Sequence, residues 1–214
     1  NEAPLIQISG LTQGGAYHGN LPISVLLTEA HPMETRVEHL PPGATTWGLV
    51  ASSAQGALGC QLDLSGREGI HQLRVVSFDR LGFYSTNLLS FTADETPPVI
   101  SGVAHQPGVY DSRFGSLKIA YAVSEEALLA FELLDGTGTR LRLIDLGLIA
   151  SGPGQVFWDG RDGNGDRVAD GDYSYRLLAA DLAGNASLRE LPLTLRQDLS
   201  APVTTLALSG PHSQ

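Results

Sequence analysis

Apolar and polar residues alternate with a period of two along much of the chain. The runs "PISVLLT" (Pro22 to Thr28) and "SLKIAYAVS" (Ser116 to Ser124) place apolar side chains at every second position. That is the pattern of a strand with one face against a core. His71, Leu73 and Val75 fall on one face of a further run, with Gln72 and Arg74 on the other. Tyr173, Tyr175, Leu177 and Ala179 share a face in the same way, opposite Ser174 and Arg176. Turn-forming groups punctuate these runs: "PPG" at 41, "SGREG" at 65, "DGTGT" at 135, "SGPG" at 151 and "DLAGN" at 181. The stretch "SEEALLAFELL" (Ser124 to Leu134) is the best helix candidate by propensity, but the hairpin signal "DGTG" behind it predicts a strand. Six or seven short strands in each ~100 residues predict an all-β chain of tandem Ig-like or fibronectin-III-like β-sandwiches.

The chain repeats itself. "GIHQLRVVSFDRLGFYS" (Gly69 to Ser85) aligns without a gap on "GDYSYRLLAADLAGNAS" (Gly171 to Ser187), 102 positions later. Gly69 meets Gly171, Arg74 meets Arg176, Asp79 meets Asp181 and Gly82 meets Gly184. Three segments open in a similar way, with Pro before a short β-branched strand: "EAPLIQISG" at Glu2, "TPPVISGV" at Thr96 and "SAPVTTLALSG" at Ser200. The expected division is therefore 1–95, 96–198 and the opening strand of a third repeat at 199–214. The joints "ADETPP" and "RQDLSAP" should be stiff, because proline restricts itself and the residue before it.

Composition narrows the range of functions. The 23 acidic residues exceed the 13 basic ones, for a formal net charge of −10. Such a balance argues against nucleic acid, which calls for a basic footprint, and against anionic membrane surfaces. No run approaches the ~18 apolar residues of a membrane-spanning helix, so no membrane insertion is expected. Cys60 is the only cysteine, which excludes an internal disulfide and reads as a small core residue rather than a nucleophile. The opening "NEAPLIQISG" lacks the basic start and apolar centre of a signal peptide.

One stretch invites a metal. "WDGRDGNGDRVADGDY" (Trp158 to Tyr173) sets Asp162, Asn164 and Asp166 at the spacing that begins an EF-hand calcium loop. The remainder of that pattern is missing: Arg167 stands where the sharp-turn Gly belongs, and Tyr173 where a bidentate Glu belongs. A turn that uses Asp and Asn to bond their own backbone accounts for the same residues, with Trp158 and Tyr173 packing inward. Calcium is then an optional addition to the turn, and no other cofactor is expected. "DLAGN" at Asp181 and "DRLG" at Asp79 read as type I turns closed by a left-handed Gly.

Catalytic chemistry finds no support. The histidines are scattered, and the cluster "EAHPMETRVEH" (Glu29 to His39) lacks zinc-ligand spacing, so it reads as solvated loop and strand edge. No nucleophile elbow or phosphate loop is present. Trp47, Phe83, Tyr84 and Tyr110 are the aromatics that the pattern does not place in a core, and they are the candidates for stacking on a glycan.

The stretch "GQVFWDGRDGNGDRVADGDYSYRLLAADLAGN" (Gly154 to Asn185) resembles the Ig-like domain of the flagellar hook-capping protein family. Through "GIHQLRVVSFDRLG" and "TADETPP" the first repeat resembles a more diffuse group of bacterial Ig-like domains, with "DRLGF" where "DxAGN" is usual. "APVTTLALSGP" (Ala201 to Pro211) is similar to the start of another surface-protein Ig-like repeat. The resemblance implies a non-enzymatic structural, spacer or adhesive module of a secreted or cell-surface bacterial protein. Its expected partners are neighbouring domains or subunits. Alternatives are an accessory module of a secreted enzyme, a glycan- or protein-binding module, and a filament subunit assembled by β-strand addition.

Overall fold

The computed structural model describes residues 3–29, 31–54, 56–111, 113 and 115–196. The expected third-repeat strand at 199–214 lies outside them. Every regular element among the described residues is a strand. The first eight are β1 (Leu5–Ser9), β2 (Ala16–Tyr17), β3 (Asn20–Thr28), β4 (Pro32–Leu40), β5 (Gly48–Ser53), β6 (Leu58–Asp63), β7 (Gly69–Asp79) and β8 (Tyr84–Ala93). The second eight are β9 (Ile100–Gln106), β10 (Val109–Tyr110), β11 (Leu117–Val123), β12 (Ala127–Leu134), β13 (Arg140–Ile149), β14 (Gly152–Trp158), β15 (Gly171–Ala180) and β16 (Ala186–Leu195).

The two sets have the same topology. In the first, a three-stranded sheet β1-β3-β6 accompanies a five-stranded sheet β2-β8-β7-β4-β5. In the second, β9-β11-β14 accompanies β10-β16-β15-β12-β13. Most pairings are antiparallel, but β2 on β8 and β10 on β16 are parallel. The gapless repeat is β7 over β15, and Gly69 and Gly171 both begin their strands. The segment around "ALLAFELL" is strand β12, paired on both sides with β13 and β15. Two strand neighbours outweigh its helical propensity, because they satisfy its backbone groups and bury its alternate side chains.

Each set closes over its own core. Ile23, Val25, Val37, Leu73, Val75 and Phe91 form the centre of one cluster. Ile119, Leu129, Phe131, Trp158, Tyr175 and Leu177 form the centre of the other. The alternation along β7 buries His71, Leu73 and Val75, and each large apolar side chain taken out of water contributes about 1.5–3 kcal/mol before chain entropy is counted. Cys60 is half-buried and packs on the first cluster.

Tyr110 corrects an expectation. It is a core residue, 2% exposed, with its hydroxyl donating to the Gly115 carbonyl at 2.6 Å and its ring 5.7 Å from that of Trp158. A two-residue strand is too short to carry a period, so the hydrophobic pattern cannot place it.

Candidate functional site

The acidic stretch is a folded-back loop between β14 and β15. The Asp162 Oδ1 accepts the backbone N–H groups of Asn164 and Asp166, each at 2.9 Å. Backbone bonds from Asp162 N to Asp166 O and from Gly165 N to Asp162 O close the turn, and Gly165 takes a φ of 89° that favours glycine. The loop also docks sideways: Gly163 N donates to Leu141 O, and Arg142 Nη1 donates to Asp162 O. Trp158 is fully buried beneath it, its indole N–H donating to the Arg161 carbonyl at 2.8 Å. Tyr173 packs half-buried against the same core. The Asp162 carboxylate thus organises the backbone of the turn, while Arg161 Nη1 binds the Gly165 carbonyl within it.

The two repeated Asp–Gly turns share their backbone bonds, Asp79 N to Phe83 O and Gly82 N to Asp79 O against Asp181 N to Asn185 O and Gly184 N to Asp181 O. In each the Asp carboxylate accepts two N–H groups of the turn. Asp79 Oδ1 accepts from Leu81 N and Phe83 N, both at 2.8 Å. Asp181 Oδ1 accepts from Gly184 N at 2.7 Å and Asn185 N at 2.9 Å. Both carboxylates are buried, and Gly82 and Gly184 take φ of 88° and 98°. The expected turn with a positive-φ Gly is therefore present in both repeats.

The second of these turns meets the first sandwich. Asn185 Nδ2 donates to Asp181 Oδ2 at 2.8 Å and to the Asp94 carbonyl at 2.7 Å. Beside it, Asp94, Glu125 and Asp181 each offer a carboxylate oxygen, all within 4.8 Å of one another. Oxygen ligands at such a spacing suit a hard divalent cation; as bare charges they repel one another. Desolvation, then the negative charges of Asp94 and Asp181, raise the Glu125 carboxyl above its ordinary value of 4.5. This group was missed in sequence because its members come from three separate segments.

Two other features stand out. His39 and His71, expected apart, meet in the first core, with Nε2 of His39 2.7 Å from Nδ1 of His71 and the rings stacked at 4.9 Å. The reading of His39 as a solvated strand edge is thereby corrected, since it is 6% exposed. On the outer face of the second five-stranded sheet, Leu128, Ala130, Leu143, Leu178, Ala180 and Leu188 line an apolar hollow of about 520 Å³. The remaining candidate aromatics do not share one platform. Trp47 lies 4.5 Å below the Arg74 guanidinium, whereas Phe83 and Tyr84 sit exposed at the β7–β8 turn.

These paired sheets define an all-β chain of the Ig-like and fibronectin-III-like sandwich class. A structure of chicken CNTN1 FN1–FN3 domains shares this fold, with a TM-score of 0.50 at 14% identity over 92% of this chain and 66% of that one. The particular family that matches is the FlgD Ig-like domain, whose model covers residues 112–182. Two further similar structures are FlgD from P. aeruginosa, at 26% identity and TM-score 0.36 over 44% of this chain and 71% of that one, and a tetra-tandem repeat in the extending region of a large adhesion protein, at 14% identity and TM-score 0.38 over 90% of this chain. The chain spans 49% of the adhesion-protein structure and 66% of the CNTN1 structure. No curated protein sequence matches it.

Proposed function

We propose that the chain is a non-enzymatic spacer of a secreted or cell-surface bacterial protein, with sandwiches at 1–95 and 96–198 that connect or present other domains. The observation that carries this reading is the bond from Asn185 to the Asp94 carbonyl, which ties a turn of the second sandwich to the end of the first. Separate cores let each sandwich hold its own shape. The proline pair at Pro97 and Pro98 stiffens the short joint between them.

Fluorophores placed at the two ends, read by single-molecule energy transfer, test the role. A narrow distance distribution is expected, and one as broad as that of a flexible linker rejects it. Calcium at Asp162, Asn164 and Asp166 would add to a turn that already has its own bonds. A thermal melt with calcium and with chelator checks this, and an unchanged midpoint removes the ion from the reading.

A second reading is favoured by the apolar hollow on β12, β13, β15 and β16: attachment to a neighbouring domain or subunit through that face. Glycan binding through Trp47, Phe83 and Tyr84 is a weaker proposal, because the rings stand apart. A glycan array with the chain distinguishes it.

A further inference from the structure

The first sandwich carries two ionisable rings in its core. His71 is 0% exposed, and its ring stacks on Phe91 at 5.4 Å as well as on His39. One ring nitrogen donates and the other accepts across the 2.7 Å contact, so the pair is bonded only while that contact holds a single proton. The other nitrogen of His71, Nε2, is buried and has no hydrogen-bond partner among the described residues. A proton added there finds only the Arg67 backbone to offset in part the cost of burying its charge. A proton added at the contact sets two N–H groups against each other.

Among the described residues no carboxylate forms a hydrogen bond or ion pair with either ring. From the loop before β7, Arg67 brings positive charge toward both rings. Asp63, at the end of β6, lines a hollow with His39 and Arg67, but its carboxylate bonds Ser65 N. Glu38 and Arg74, next to the pair along β4 and β7, bind each other. From β8 comes Phe91, and from β2 comes Tyr17, whose ring meets Phe91 edge-on. Strand β5 carries no titratable residue. Glu68 and Glu95 hold backbone N–H groups near the sandwich end.

We propose that the stacked His39–His71 pair is an acid-sensitive latch, and that proton uptake by the pair loosens the first sandwich at mildly acidic pH while the second stays closed. Burial, followed by the charges of His71 and Arg67, lowers the His39 pKa from 6.5 to about 4. Burial also lowers that of His71, with the Arg67 backbone opposing in part. The folded pair is therefore neutral where the unfolded rings are charged. Between about 6.5 and about 4 the unfolded state binds more protons, so stability is full above that window and falls as the pH drops through it. From His39 alone the opening constant rises on the order of 20-fold between pH 7 and pH 5. None of the buried residues of the second cluster titrates in mild acid; its half-buried neighbour His105 bonds the Tyr175 hydroxyl.

Two measurements on the full chain test this. Amide hydrogen exchange, corrected for the intrinsic rate at each pH, should show protection along β4 and β7 falling at least tenfold from pH 7 to pH 5. Protection along β12 and β15 should hold. The double variant His39→Phe/His71→Phe should abolish the differential loss, and each single variant should reduce it. Equal loss in both sandwiches, or a differential loss that persists undiminished in the folded double variant, overturns the latch. The second measurement needs no variant: imidazole resonances of His39 and His71 should stay in the neutral form to pH 5, and titration of both near pH 6.5 overturns it.

Discussion

The Asn185 side chain bonds the Asp94 carbonyl 91 positions earlier in the chain, and the same amide nitrogen also holds Asp181. One small side chain therefore closes its own turn and reaches the neighbouring sandwich. The equivalent place in the first repeat is Phe83, whose side chain has no amide to offer. The difference between "DRLGF" and "DLAGN" is thus a difference in what each turn can tether.

Replacing this amide should weaken the second sandwich and the joint together. Asn185→Ala removes two hydrogen bonds from a buried position and should cost about 1–3 kcal/mol. A denaturant titration reads the stability loss, and energy transfer between the two ends should show a wider distance distribution than in the parent chain.

Glu125 should be a liability at neutral pH. Its carboxyl titrates above 4.5 because desolvation and the charges of Asp94 and Asp181 disfavour its ionised form. In the window above 4.5 the folded state binds more protons than the unfolded one, so this contribution to stability falls as the pH rises. Glu125→Gln should raise the melting temperature at pH 7 and lose that advantage below about pH 4.5. The melting temperature of both proteins across that range checks the sign.

The two cores should melt separately when one is damaged. Phe131 is fully buried in the second cluster and stacks on Tyr175 at 5.8 Å. Phe131→Ala should cost about 3–5 kcal/mol and lower one calorimetric transition while leaving the other in place. A single transition that shifts as a whole would reject independent sandwiches.

The paired turns allow an internal comparison. Gly82→Ala and Gly184→Ala both place a side chain at a φ that disfavours one, at a cost of about 1–2 kcal/mol. At Gly184 the added Cβ also lies 3.2 Å from His18 Nε2, whereas at Gly82 nothing lies within 4 Å. Gly184→Ala should therefore be the more damaging, as read from the two urea midpoints.

The fold was largely legible because its signals are local. Alternation along Leu73 and Val75, or Tyr175 and Leu177, names the buried face without knowledge of the partner strand. The repeat then carries that reading from one sandwich to the other. What lay beyond reach depends on contacts between distant segments. His39 and His71 are polar by type, and only the pairing of β4 with β7 brings them together. Asp94, Glu125 and Asp181 come from a strand end and two loops, so no spacing announces them. The acidic loop was legible in part: the bonds from Asn164 and Asp166 to Asp162 are those of a turn, but its docking on Leu141 and Arg142 follows from β13.

The short parallel pairing in each sandwich bears on how the chain would carry load. In the first, Gly14 N bonds Ser90 O, Thr92 N bonds Gly15 O and Asp94 N bonds Tyr17 O, so the segment around β2 and the closing strand β8 run side by side in one direction. Tension applied from end to end pulls such neighbours past each other. These bonds are then sheared as a group, whereas a hairpin pulled from its open end unzips one bond at a time. The same arrangement recurs where Arg196 N bonds Tyr110 O. Each sandwich thus meets a stretching force with its second and last strands already clasped.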